Sequence, residues 1–475
     1  MILSGVFKRF TELTPACVMH RALLENFFSE DALNELFREN ATKQYERELM
    51  FSTVVDVIGK VVSRVKPSVN ACYVDQKAEI PVSAKAFYDK LANIETSTSR
   101  ALVRHTAERA RELVDLVGGR RKPLLAGYRT RILDGNHLGK SEHRLGVLRN
   151  TSAGPLPGQT LALLNPELML IEDIFVCEDG HAQERSLLPH ILPFIEHRDL
   201  LICDRNFCTL KFIFGLLKRK ASYLIRRHGR MPYKLVGKRK YKGRCETGRV
   251  YEQTAELCDP ETGAITHARL VTIKLDKPTQ DGDTEIDLLT NLPEKKASAV
   301  KVAELYRSRW KIEHAFFELT EYLKCELNTL GYPKAALFAF CVAVSIYNLL
   351  STMKAALRGV HGEKVVDEEV SDYYLFGEIS ETYKGMMVAI PPEEWVEFQS
   401  MSSTKLGKFL IEMATKIDLD KYPKSRRGPK KPKKKLANSQ FRHVSTAKLL
   451  DDKAKKLREE NAKKKKAQRK TVKAT

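Results

Sequence analysis

The apolar pattern of the chain predicts an α/β fold: a mixed sheet flanked by helices, with a β-rich insertion and a helical N-terminal region. Three observations carry this reading. Before residue 118 apolar positions recur at helical spacing. Between 128 and 217 short apolar or alternating runs take turns with helical stretches. From 221 to 292 four strand-like runs follow one another with turn residues between them.

In chain order, Ser29 can cap a helix carrying Leu33, Leu36 and Phe37, and Ser83 another carrying Phe87, Leu91 and Ile94. A third helix spans roughly Arg100 to Leu116. Two such helices joined by the polar turn Glu-Thr-Ser-Thr-Ser form either a DNA-reading helix-turn-helix or an ordinary packing unit. The breaker cluster Gly118-Gly119-Arg120-Arg121-Lys122-Pro123 marks a boundary. Beyond it, Tyr128 to Leu133 reads as a strand delivering Asp134 at its tip. Leu161 to Leu164 and Met169 to Cys177 read as a hairpin, and Ser186 to Ile195 as a helix. Asp199 to Cys203 is a buried-type strand ending in Asp204, followed by an apolar helix through Leu217. Leu305 to Lys324 reads as one helix, with Leu305, Ile312, Phe316, Leu319 and Leu323 on its apolar stripe. Tyr306, Arg309 and Glu313 lie on a neighbouring stripe. The division expected is 1–118 for a helical DNA-binding region, 119–220 with 293–360 for a catalytic core, and 221–292 for a β insertion. Residues 361–420 make a helical and loop region, and 421–475 a basic, largely disordered tail.

Charge narrows the partner. Of a formal +21 over 475 residues, +18 lies from Lys421 onward, where 22 Lys or Arg face 4 Asp or Glu. A near-neutral body with a basic tail suits a polyanion, and nucleic acid better than a membrane, because no apolar face accompanies most of the tail. Nine cysteines without a Cys-x-x-Cys pair suggest neither a zinc knuckle nor a disulfide framework, and fit a reducing cytoplasm. The N-terminus does not read as a secretion signal. The longest apolar run, Ala335 to Leu350, includes Ser345 and Asn348 and falls short of the ~20 residues of a membrane span, so it reads as a buried core helix.

Asp134 and Asp204 at strand ends and Glu313 on a later helix form a candidate catalytic and metal-binding triad. Hard divalent ions take carboxylate oxygens, and three convergent carboxylates can hold two ions roughly 3.5–4 Å apart, one on each side of a phosphodiester. Singly, each acid has an ordinary alternative: a turn for Asp134, a helix cap for Asp204 and solvation for Glu313.

The chain resembles DDE transposases of the insertion sequence 4 family. The residues that carry this are Leu-Asp134-Gly-Asn-His, then Ile-Cys-Asp204-Arg-Asn-Phe followed by Tyr-Leu-Ile-Arg226, and Leu-Leu-Thr-Asn-Leu-Pro293 ahead of Tyr306-Arg-Ser-Arg309-Trp-Lys-Ile-Glu313. The likeness covers roughly 120 to 350, with an echo in the tail at Arg-Arg-Gly-Pro-Lys-Lys-Pro and His-Val-Ser-Thr-Ala-Lys. The family signature is Tyr, two residues, Arg, three residues, Glu, six residues, Lys; here the lysine position holds Thr320, and Lys324 is the nearest substitute. The resemblance implies a ribonuclease H-like catalytic domain with Mg²⁺ as cofactor, Mn²⁺ substituting. It implies cleavage at transposon ends and strand transfer into double-stranded target DNA by a homodimer, in a bacterial, nucleoid-associated setting. Asp134, Asp204 and Glu313 are then the metal ligands, with Tyr306, Arg309 and Lys324 as phosphate contacts. Some relatives grip a flipped base with an aromatic residue of the insertion. Both tryptophans, Trp310 and Trp395, lie outside that insertion, which leaves Tyr241 or Tyr251. Two alternatives stay open, a metal-dependent nuclease without strand transfer and a catalytically dead DNA-binding descendant.

Overall fold

The structure, a computed structural model, describes residues 4–279, 282–425 and 443–471, with side chains through residue 464. Among these residues seven helices come first: α1 (Gly5–Leu13), α2 (Pro15–Phe27), α3 (Glu30–Asn40), α4 (Phe51–Val62), α5 (Val69–Asp75), α6 (Ala84–Asn93) and α7 (Thr96–Leu116). Ser83 caps α6 by accepting a hydrogen bond from the Ala86 N–H, whereas Ser29 precedes α3 without such a bond. The strands β1 (Arg129–His137), β2 (Gly154–Leu156), β3 (Gln159–Asn165) and β4 (Leu170–Cys177) follow. Between β4 and β5 (Asp199–Cys203), the expected helix is broken at Pro189 and Pro193, leaving one α-turn, α8 (Leu188–Ile191), between two 3₁₀ turns. α9 (Leu210–Lys218) leads into β6 (Ser222–Arg226), β7 (Lys234–Cys245), β8 (Gly248–Cys258), β9 (Ile265–Leu275) and β10 (Glu285–Thr290).

Among the described residues nine strands form one sheet, in the order β4-β3-β1-β5-β6-β10-β9-β8-β7. β4, β3 and β1 are antiparallel neighbours, and β1, β5 and β6 run parallel. This mixed five-stranded half is the arrangement expected of a ribonuclease H-like core. β6, which the strand pattern groups with the insertion from 221 onward, continues the core sheet. β10 joins β6 antiparallel, so β7–β10 extend that sheet rather than starting another. The pattern of alternation alone does not say which sheet a strand joins.

The expected helix from Leu305 to Lys324 is two helices, α10 (Ala299–Arg307) and α11 (Trp310–Glu321). They meet at a tight junction where the N–H groups of Ser308, Arg309, Lys311 and Ile312 each reach back three residues. The remaining helices are α12 (Pro333–His361), α13 (Glu363–Glu369), α14 (Asp372–Ala389), α15 (Val396–Gln399) and α16 (Ser403–Lys416). Then come the strand β11 (His443–Ser445), parallel to β2, and α17 (Thr446–Thr471). The tail thus carries β11 and α17 among its described residues, and its most basic stretch, 426–442, lies outside them.

α12 organises the packing. Its apolar window is entirely buried, and it packs against α2, α4, α6, α7 and α16 as well as β4, so N-terminal and C-terminal helices share one core on one face of the sheet. Length and composition alone would let α12 cross a membrane, yet here it is the interior of that core. Asn348, a polar residue inside the apolar run, accepts from the Ile171 N–H at 2.9 Å and donates to the Ile171 carbonyl at 3.0 Å. It satisfies both backbone groups of a β4 residue and sets the register of helix on sheet. A second core, with Leu133, Leu201, Cys203, Phe207 and Ile213, covers the opposite face under α9.

Candidate active site

The register of β1 on β5 builds the site. Leu133 lies opposite Cys203 on the parallel neighbour, so Asp134 and Asp204, each one residue further on, stand side by side at the carboxyl ends of adjacent strands. Side chains alternate across a sheet. Leu133 and Cys203 enter the core beneath α9, and Ile132 and Ile202 enter the core built around α12. Both aspartates therefore project toward the face on which α10 and α11 lie. β1 does not stop at Asp134: its pairing with β3 continues to His137, which holds the aspartate within a strand rather than at a free tip.

α10 and α11 bring the remaining groups. Tyr306, 9% exposed, donates its hydroxyl to Asp204 Oδ1 at 3.3 Å. Arg309 stands at the junction and bridges two acids: Nη1 donates to Asp134 Oδ2 at 2.7 Å and Nη2 to Glu313 Oε1 at 2.5 Å. Because the junction is tight, the guanidinium at the start of α11 and the carboxylate in its first turn reach the sheet together, while Ile312, Ala315 and Leu319 anchor the helix beneath. Thus the structure gathers Asp134, Asp204, Tyr306, Arg309 and Glu313.

Lys324 is not gathered with them. α11 ends at Glu321, so the helical spacing that would return residue 324 to the Glu313 face does not extend that far, and its ammonium donates to the Pro67 carbonyl at 2.9 Å. Thr320, at the signature lysine position, is exposed and turns its hydroxyl back to the Phe316 carbonyl at 2.9 Å.

Electrostatics single out Asp134. Burial pushes its carboxyl up from 3.8 to about 6; Arg309 and the Gly135 N–H oppose the shift, and Asp204 and Glu313 add to it. One arginine leaves the three acids short of positive charge. Tyr306 is pushed upward by burial and by the Asp204 carboxylate, so it remains a hydroxyl donor. For Arg309, burial works against the charge, but Tyr306, Asp134 and Glu313 outweigh it and hold the guanidinium protonated. Its Nε is buried without a hydrogen-bond partner. A set of carboxylate oxygens lacking cationic compensation fits hard divalent ions.

One neighbour escaped the sequence reading. Glu184 lies in the Pro-broken turn before β5, and its carboxylate end reaches into the space beside Gly135, where a Cβ would stand 2.1 Å from its Oε1 unless the glutamate swung aside. Glu184 accepts from the Asn206 amide at 3.3 Å and lies 3.9 Å from His137 Nδ1. Since Gly135 follows Asp134 in β1, Glu184 lies on the face of the strand opposite the Asp134 side chain. A single glutamate in an irregular turn carries no periodicity.

Residues 162–349 match the family model described as a transposase DDE domain. That span contains Asp204 and Glu313 and begins after β1, so Asp134 joins the group through strand register and its bond to Arg309. The central part of the chain is therefore similar to a transposase DDE domain. Over 165 residues it is 28% identical to the "Putative transposase y4zB" of Sinorhizobium fredii (strain NBRC 101917 / NGR234), covering 34% of this chain and 44% of that relative, less than half its length. Among solved structures, a piggyBac transposase synaptic complex with hairpin DNA aligns over 90% of each chain at a TM-score of 0.40 and 12% identity.

Proposed function

We propose that this chain is a DDE transposase of the insertion sequence 4 type, cutting double-stranded DNA at transposon ends and joining the freed 3′-hydroxyl to target DNA. The observation that carries the proposal is the placement of Asp134 and Asp204 on adjacent parallel strand ends, with Arg309 tying Asp134 to Glu313.

On this reading Asp134, Asp204 and Glu313 hold divalent metal, Mg²⁺ or Mn²⁺, which supplies activation of the attacking oxygen and charge stabilisation at the leaving one. The protein's own groups do the positioning. In cleavage a water oxygen bonds to phosphorus as the 3′ oxygen leaves. In strand transfer that 3′-hydroxyl attacks a target phosphodiester and displaces another 3′ oxygen. Arg309, already poised between two acids, offers charge-assisted N–H donors to a phosphate oxygen, and Tyr306 adds a neutral hydroxyl. β7 carries Lys234, Lys238, Arg239, Lys240, Lys242 and Arg244 on the outer edge of the sheet, suited to backbone phosphates. Tyr241, 60% exposed, meets Tyr251 edge to face at 5.5 Å with Arg239 over the Tyr251 ring, a platform for an unstacked base. The expected assembly is a homodimer across two ends.

The test is cleavage and strand transfer on the inverted repeats flanking the gene, with Mg²⁺ or Mn²⁺, comparing the native chain with Glu313→Gln. Metal-dependent joining that disappears in the variant supports the proposal. Cleavage without joining turns it into a nuclease. Thr320 in place of the signature lysine favours a second reading, a binding-only descendant, and tight DNA binding without cleavage by either protein would establish that one.

A further inference from the structure

On the side of α11 turned away from the triad lies a second cluster of metal-ligating groups. His314 and Glu318 are one helical turn apart on α11, and Asp372 opens α14. One ligand atom from each lies within 4.8 Å of the others, and His314 Nε2 stands 3.3 Å from Glu318 Oε1. The two carboxyl side chains are 6% and 9% exposed, and each offers an oxygen within 4.8 Å of the other. Two buried carboxylates this close need a cation or a proton between them. Lys354 of α12 gives part of the answer, 2.6 Å from Asp372 Oδ1 and 3.9 Å from Glu318 Oε1, but Asp372 Oδ1 receives no hydrogen bond of acceptable geometry. A cavity of about 300 Å³ opens onto the cluster, bordered by Trp310, Tyr347 and Ser351 and, on its other sides, by the cationic side chains of Arg121, Lys311, Arg358 and Lys424.

We infer that His314, Glu318 and Asp372 form a second divalent-metal site, separate from the catalytic carboxylates and selective for a zinc-like ion. One imidazole with two carboxylates is a borderline donor set, unlike the all-oxygen set of the triad. Metal–ligand bonds of about 2.1 Å allow ligand atoms up to ~4.2 Å apart, so the three groups need to close by less than 1 Å. Binding would take the place of the Lys354 ammonium beside Asp372 and Glu318. The ion would join α11, which bears Glu313 and follows Arg309, to α14 beside α12. It would thus be a structural clamp on the helix that completes the active site. This inference does not depend on the reaction proposed above, since its readout is metal uptake.

The experiment uses the full-length chain stripped with a chelator and titrated with Zn²⁺ in excess Mg²⁺, with bound zinc counted after gel filtration and the melting temperature followed in parallel. Glu313→Gln, which weakens the triad, is expected to retain one zinc per chain. His314→Gln is expected to lose affinity by at least about tenfold and to lose the zinc-dependent rise in melting temperature. Its side chain is 41% exposed, so folding is preserved. Lys354→Met, which removes the resident cation, is expected to bind zinc at least as tightly as the native chain. Equal uptake by the native and His314→Gln chains, or no uptake by the native chain, would overturn the inference.

Discussion

Replacing Asp134 with asparagine should stabilise the metal-free protein while abolishing the rise in melting temperature that Mg²⁺ or Mn²⁺ gives through the triad. The carboxyl is 19% exposed and its pKa lies at about 6 in the fold against an ordinary 3.8. For an acid raised in this way, the favourable contribution to folding is complete below the unfolded pKa and is lost as pH rises through about 6. At pH 7.5 the native chain therefore carries a cost of roughly 3 kcal/mol for keeping Asp134 ionised, and at pH 5 about half of that. Asparagine has nearly the same shape and no charge, so the variant escapes most of this cost, less whatever Arg309 loses by keeping Glu313 alone. With an unfolding entropy of about 2.1 cal/mol/K per residue over 475 residues, 1 kcal/mol corresponds to about 1 °C. Thermal unfolding in chelator should then place Asp134→Asn up to ~3 °C above the native chain at pH 7.5, with the gap narrowing at pH 5. Added Mn²⁺ should raise the native melting temperature and leave the variant's unchanged. A variant that melts lower than the native chain in chelator at pH 7.5 would refute the reasoning, because the carboxylate would then be supporting the fold rather than burdening it.

Asn348→Leu leaves the Ile171 N–H and carbonyl buried without partners and should cost about 2–5 kcal/mol, read as a lower urea midpoint at unchanged slope. Thr320→Lys restores the signature lysine on an exposed turn and should leave strand transfer equal or faster, whereas Lys324→Ala should act on stability alone; initial rates of joining distinguish the two. Neutralising Lys238 and Lys240 on β7 should weaken DNA binding at low salt for any sequence, and the slope of log affinity against log salt should fall by about 0.9 for each phosphate no longer neutralised. Arg309→Lys cannot bridge both Asp134 and Glu313 in one planar fork, and should depress cleavage far more than DNA binding, measured by gel shift beside product formation.

The two aspartates were legible because each closes a short apolar run, although only Asp204 follows the last residue of its strand and Asp134 lies inside β1. Their adjacency was not legible: it follows from the pairing of Leu133 with Cys203, a long-range register that no local pattern encodes. Tyr306, Arg309 and Glu313 were found by spacing, although the continuous helix that suggested the spacing is interrupted. The i→i−3 junction preserves their convergence by a route that helical periodicity does not describe. The same periodicity misled at Lys324, because it assumed three residues of helix beyond Glu321. Asn348 was visible as a polar flaw in an apolar run, but its purpose lies in the backbone of β4, and Glu184 occupied a turn with no period at all.

The single sheet has a mechanical meaning. From β1, which carries Asp134, to β7, which carries the basic edge, there are six strand steps joined throughout by backbone hydrogen bonds. At about 4.8 Å per step the distance along the sheet is ~29 Å. With DNA rising about 3.4 Å per base pair along each strand, that distance spans eight to nine base pairs. A ladder of this kind bends by twisting and does not telescope, so it behaves as a ruler whose length is set by strand number. Excising the β7–β8 hairpin would shorten it by two rungs, about 10 Å or three base pairs, and would take the basic edge away with it, so on the proposed reading the duplex would lose its far grip while the triad stayed in place.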